Sequence, residues 1–139
     1  MAFQPDIIVT GPDGVMLVLE AKTSLPDLHG SEEQLKRYMV GMQCPTGVLI
    51  TPEHMWVYRD LYTTRSPESI HRIAEFDTKG FWRQPPPADE TLFEAFVQEW
   101  LERLAHQPPQ DLPREIRETL SEYVVPAVTN GEVRAAHPR

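Results

Sequence analysis

At 139 residues, with 40% apolar and 24% charged side chains, the chain is long enough for one domain built on a single core. Its 21 acids against 13 Lys and Arg give a formal charge of −8, which argues against a simple basic nucleic-acid binder, and its single cysteine, Cys44, excludes a disulfide framework or a cysteine-based zinc site. No apolar run approaches a membrane span and the start lacks the basic-then-apolar layout of a signal peptide, so a cytoplasmic setting without membrane partners is expected.

In chain order, 7–9 and 15–19 are unbroken apolar runs. A strand that faces solvent on one side alternates, so these two read as strands buried on both faces of a sheet, with helices covering it. Gly11-Pro12-Asp13-Gly14 between them is a turn, which makes Asp13 turn chemistry and folds the two strands into an antiparallel hairpin. A symmetrical four-residue loop pairs Thr10 with Val15 and therefore Asp6 with Leu19, which leaves Asp6 and Glu20 on opposite faces; a bulge or a bend is needed to bring them together.

Residues 23–30 read as a loop, with His29 as its exposed titratable group. Ser31 through Gln34 has the form of a capping box, with Ser31 as N-cap of a helix whose core stripe is Leu35, Met39 and Met42. Lys36 and Arg37 belong to its solvated side. Residues 46–51 and 54–59 read as a third and fourth strand, and 70–76 alternates as an edge strand does. Pro85-Pro86-Pro87 is the candidate linker, dividing a core at 1–84 from a helical extension at 85–139. The extension reads as a helix carrying Leu92, Phe93, Phe96, Val97, Trp100, Leu101 and Leu104, then, after Pro108-Pro109, a second helical segment over 112–125 with Ile116, Leu120 and Tyr123 on one face. These helices are expected to cover a sheet face or form a homodimer contact, and the last ten residues to fray. The class is mixed α/β (α+β), with a central sheet of four to five strands.

The chemistry-bearing residues cluster early. Asp6 opens one apolar strand, and Glu20-Ala21-Lys22 closes the next, with Glu20 and Lys22 on the same face. Two carboxylates suit a hard cation such as Mg²⁺, and a neighbouring lysine suits a developing negative charge, which together point to phosphodiester hydrolysis. Pro5-Asp6, Glu20-Ala21-Lys22 and then Gln34-x-x-x-Tyr38 on a following helix resemble the PD-(D/E)xK nuclease superfamily, and within it the nuclease domain of type I restriction motor subunits. Gly47-Val48-Leu49-Ile50-Thr51 followed by Met55-Trp56-Val57-Tyr58-Arg59 resembles that family's next strand pair, so the likeness spans roughly residues 5–59.

The resemblance implies a restriction-endonuclease-like sheet flanked by helices, a Mg²⁺-dependent DNA endonuclease with Mn²⁺ as substitute, and DNA as partner. It implies Asp6, Glu20 and the Ala21 carbonyl as metal ligands, Lys22 as the water-positioning group, and Gln34 and Tyr38 as support for Lys22 or a phosphate. Within the chain itself, Gln34 has the alternative role of closing the capping box. Family members place a helix, often with another metal-binding acid, ahead of the first half-motif, whereas four residues precede Pro5 here. A C-terminal helix, a partner chain or an omitted segment is then expected in its place, or the site is degenerate. The competing expectation keeps the fold without the chemistry, as an interaction or regulatory module in a larger defence or repair complex.

Overall fold

A computed structural model describes residues 4–107 and 109–139; residues 1–3, and Pro108 of the second predicted break, lie outside the described residues. Six strands form one mixed sheet: β1 (Ile7–Gly11), β2 (Gly14–Ala21), β3 (Thr46–Ile50), β4 (His54–Asp60), β5 (Ile70–Asp77) and β6 (Glu132–Ala135). Their spatial order is β5-β4-β3-β2-β1-β6, with β2 and β3 parallel and every other pair antiparallel. The strand count exceeds the expected four to five because 132–135, read as part of a fraying end, hydrogen-bonds along β1. A free edge on β1 would leave a row of backbone donors and acceptors unpaired, and β6 satisfies them.

The apolar runs behave as their lack of alternation requires. From Leu17 to Ala21 every residue of β2 is buried, as is all of β3. Helix α1 (Leu28–Met42) connects these two parallel strands and lays Leu35 and Met39 on one face of the sheet, against Val18, Leu49, Trp56 and Tyr58. Its start differs from the capping-box reading: Asp27 is the N-cap, its carboxylate accepting from Gly30 N at 3.0 Å, so Ser31 and Gln34 fall inside the helix. Asp27 satisfies an amide donor that has no intrahelical acceptor, which allows the helix to begin ahead of Gly30.

The other face is covered mainly by helices after the triple proline, with Phe81 and Trp82 ahead of it joining the same cluster. Helix α2 (Glu90–Leu104), capped by Asp89, packs Phe93, Val97, Trp100 and Leu101 on Ile7, Leu19 and Val48. Leu92, assigned to its apolar stripe from sequence, is instead exposed. Helices α3 (Arg114–Thr119) and α4 (Val125–Asn130) are joined through a π-helical stretch, 120–124, and add Ile116, Leu120, Val124 and Val128 to the same cluster. The C-terminal helices thus share one core with β1, β2 and β3. Among the described residues no helix is long and apolar enough to cross a membrane.

Candidate active site

The hairpin at the start of the chain decides whether two acids meet. Its first pairs, Gly11 with Gly14 and Thr10 with Val15, are those of the symmetrical loop, but the register then shifts so that Val9 pairs with Leu17 and Ile7 with Leu19. Met16 is the extra residue of a β-bulge. One position further on, the shifted register sets Asp6 opposite Glu20, on the same face. Asp6 N donates to Leu19 O at 3.1 Å and Ala21 N to Asp6 Oδ2 at 2.8 Å, fixing the Asp6 carboxylate across the end of β2.

Lys22 follows. Its Nζ lies 3.3 Å from Asp6 Oδ1 and 4.0 Å from Glu20 Oε1, a bridge between the two acids. Burial works to lower the Lys22 pKa, and the charges of Asp6 and Glu20 outweigh it, so the ammonium is held more firmly than usual. Glu20 is pushed up to about 7, first by burial, against the pull of Lys22, with the negative charges of Asp6, Glu90 and Glu94 adding to the rise. Three buried side-chain polar atoms among the described residues lack a hydrogen-bond partner, and Glu20 Oε2 is the one carboxylate oxygen of the three. An unpartnered buried acceptor costs on the order of 1–3 kcal/mol, which a proton, a water or a bound ion on that oxygen would offset.

Two contributors were not read from the sequence. Glu94, buried on α2, comes over the same carboxylates; its pKa is raised by burial first and by Asp6 second. One turn earlier Glu90 accepts from Thr23 N at 3.4 Å, tying α2 to the end of β2. The sequence carried one signal for Glu94: it stands at i, i+3, i+7 with Val97 and Leu101, an acid inside a buried stripe. Helix α2 thus brings to Asp6 an acid of the kind the resemblance expects from a helix ahead of the first half-motif.

The second unread contributor is the segment after β6. Since β6 pairs Ala135 with Ile7, Ala136 N reaches Asp6 O at 3.0 Å, and His137 arrives over the site with Nε2 3.5 Å from Asp6 Oδ1. Arg139 places Nε 3.5 Å from Glu94 Oε2 and donates to Gln98 Oε1 at 2.7 Å. One ligand atom from each of Asp6, Glu94 and His137 lies within 4.8 Å of the others, a separation one cation can bridge.

The remaining expected residues are elsewhere. Gln34 is exposed on α1, and Tyr38 is half-buried beside the Leu35 and Met39 cluster, its pKa raised by burial and by Cys44. Cys44 lies two residues before the start of β3, whereas Glu20 and Ala21 pair with its last residues, Leu49 and Ile50. The structure therefore assembles Asp6, Glu20, Ala21 and Lys22, whereas Gln34 and Tyr38 lie on α1, Tyr38 against the Leu35 and Met39 cluster. His29 and Asp13 also stay outside the cluster. Comparisons with protein-family models, curated proteins and solved structures gave no match.

Proposed function

We propose that this chain is a metal-dependent nuclease that hydrolyses DNA phosphodiester bonds with an activated water. The observation that carries the reading is Lys22 between Asp6 and Glu20, next to the group in which ligand atoms of Asp6, Glu94 and His137 lie within 4.8 Å of one another, with Glu20 Oε2 buried and unpartnered. The donor set fits a divalent cation: the buried carboxylates of Asp6, Glu20 and Glu94 outnumber the two permanent cations beside them, Lys22 and Arg139. Asp6 and Glu94 would hold the cation, and the resemblance adds Glu20 and the Ala21 carbonyl, which lie outside the group whose ligand atoms fall within 4.8 Å of one another. When bound, that cation supplies Lewis acidity toward a phosphoryl oxygen and lowers the pKa of water.

The protein's own groups do the rest. The Ala21 amide holds Asp6 Oδ2, so the carboxylate cannot rotate, and Oδ1 stays on the side of Lys22. Lys22 orients the attacking water and stabilises the charge developing on the phosphate, in a pocket where burial strengthens that attraction. Glu20, pushed up to about 7, holds its proton over part of the neutral range, and a bound cation would favour the ionised form. DNA as the substrate follows the resemblance of Asp6, Glu20-Ala21-Lys22 and Gln34-x-x-x-Tyr38.

A second reading has its own observation. His137 and Arg139 pair with Asp6 and Glu94, as they would in a nuclease-like module that has exchanged its metal for side-chain cations and serves in protein interaction. Cleavage assays on duplex, nicked, branched and single-stranded DNA, with Mg²⁺ or Mn²⁺ and with wild type beside Lys22→Ala, separate the two. Cation-dependent cleavage by wild type that falls about 10²-fold or more in Lys22→Ala supports the nuclease. Absence of cleavage on all four substrates favours the interaction module.

A further inference from the structure

We infer that His137 is a metal ligand, and that it makes the centre a mixed oxygen and nitrogen site selective for a first-row transition cation over Mg²⁺. The inference rests on reading the cluster as a metal centre and goes beyond it by assigning a ligand and a class of ion. Its first support is position. The β1–β6 register, closed by Ala136 N on Asp6 O, delivers residue 137 to the carboxylates, and Arg139 on Gln98 fastens the segment to α2 beyond it. His137 is therefore held there by backbone pairing on one side and a side-chain hydrogen bond on the other.

The second support is the state of the ring. His137 Nδ1 lies 3.2 Å from Pro138 O, a contact an Nδ1–H makes by donating. In the neutral ring that tautomer leaves the Nε2 lone pair facing Asp6 Oδ1, 3.5 Å away. A proton on Nε2 would make this contact an ion pair with Asp6; a divalent cation in its place would take the same Nε2 and Oδ1 atoms, which with Glu94 form a triangle of the size one ion spans. A third, independent observation is Glu20 Oε2, 93% of whose residue is buried and which has no partner, beside the same Asp6 and Lys22.

The choice of ion follows from the donors. Carboxylate oxygens alone suit Mg²⁺ and Ca²⁺, whereas a neutral imidazole adds affinity for Mn²⁺ and the later divalent ions of the first row. Asp6 and Glu94 balance the two positive charges, and the imidazole adds a bond without adding charge.

Calorimetric titration of the metal-free protein with Mn²⁺ and with Mg²⁺, joined to pulsed EPR of the Mn²⁺ complex, tests this without any cleavage. Wild type should bind Mn²⁺ more tightly than Mg²⁺ and show nitrogen-14 coupling from one imidazole. His137→Ala should lose the coupling and weaken Mn²⁺ about tenfold or more, with a much smaller change for Mg²⁺. His137 is one-third exposed, so the variant should keep its fold, which circular dichroism and the melting temperature in chelator verify. Mn²⁺ bound without nitrogen coupling, or equally by wild type and His137→Ala but not by Asp6→Asn, overturns the assignment of His137 and leaves the metal centre standing. Equal behaviour of wild type, His137→Ala and Asp6→Asn overturns the inference together with the metal centre.

Discussion

Two buried glutamates sit in the same sheet's surroundings and are treated in opposite ways. Glu32 on α1 has one oxygen fully engaged: Tyr58 Oη donates to its Oε2, and Arg72 Nε and Nη2 donate to the same oxygen at 2.9 and 2.6 Å. The network stitches α1 to β4 and β5. Glu20 has a lysine 4.0 Å from one oxygen and no partner on the other. Burial of a charge is tolerated where donors replace water, as at Glu32; where they do not, the proton affinity rises, as at Glu20. A carboxylate whose needs are met by the fold serves the fold, and one whose needs are left open is available to a ligand. Tyr58 shows the same physics, its hydroxyl proton held by burial first and by Glu32 next.

The sharpest way to break that contrast is to disable each site and measure both properties. Lys22→Ala should lower cation-dependent cleavage by about 10²-fold or more with little change in melting temperature, whereas Arg72→Ala should leave the rate constant of properly folded protein unchanged. A rate loss of equal size in Arg72→Ala would dissolve the distinction. Arg72→Ala should instead cost stability, on the order of 1–3 kcal/mol in denaturant unfolding, because it removes two of the three donors from a buried carboxylate. Unchanged stability would mean that water replaces the guanidinium at no cost.

Glu20→Gln sharpens the comparison through pH. The folded-state pKa of Glu20 is raised from its ordinary 4.5 to about 7, so the folded state holds the proton more tightly than the unfolded chain. The stability this provides is fully present below about 4.5 and is lost as pH rises through about 7. The metal-free variant should therefore gain on wild type between those pH values, by at most about 3 kcal/mol, and keep the gain at pH 8. Thermal melts in chelator at pH 4, 6 and 8 read this out; a difference independent of pH would remove the titration from Glu20. The smallest expected effect is Tyr58→Phe, about 1 kcal/mol, because Glu32 retains Arg72. A loss as large as that of Arg72→Ala would make the tyrosine, rather than the ion pair, the stitch.

Much of the frame was legible in local sequence. Unalternating runs at 7–9 and 15–19 marked doubly covered strands, the Gly-Pro-Asp-Gly turn marked their antiparallel pairing, and the spacing of Glu20 and Lys22 put both on one face. Those signals are local: a two-residue strand period and the backbone freedom of glycine act within a few residues. The start of α1 was misread because Ser31 and Asp27 are both competent caps, and only the path of the chain out of β2 chooses between them.

What the amino-acid sequence determined by itself was the pair of half-motifs, the covered sheet and the need for a register shift if Asp6 and Glu20 were to meet. It could not say where the shift falls, since placing Met16 as the extra residue depends on how the whole hairpin packs between α1 and the C-terminal helices. Nor could it bring Glu94 and His137 to Asp6 across 88 and 131 residues of chain. Those approaches come from the docking of α2 on one sheet face and the pairing of β6 with β1. Both are driven by burying apolar area and satisfying an open strand edge, long-range effects with no signature in the spacing of neighbouring residues.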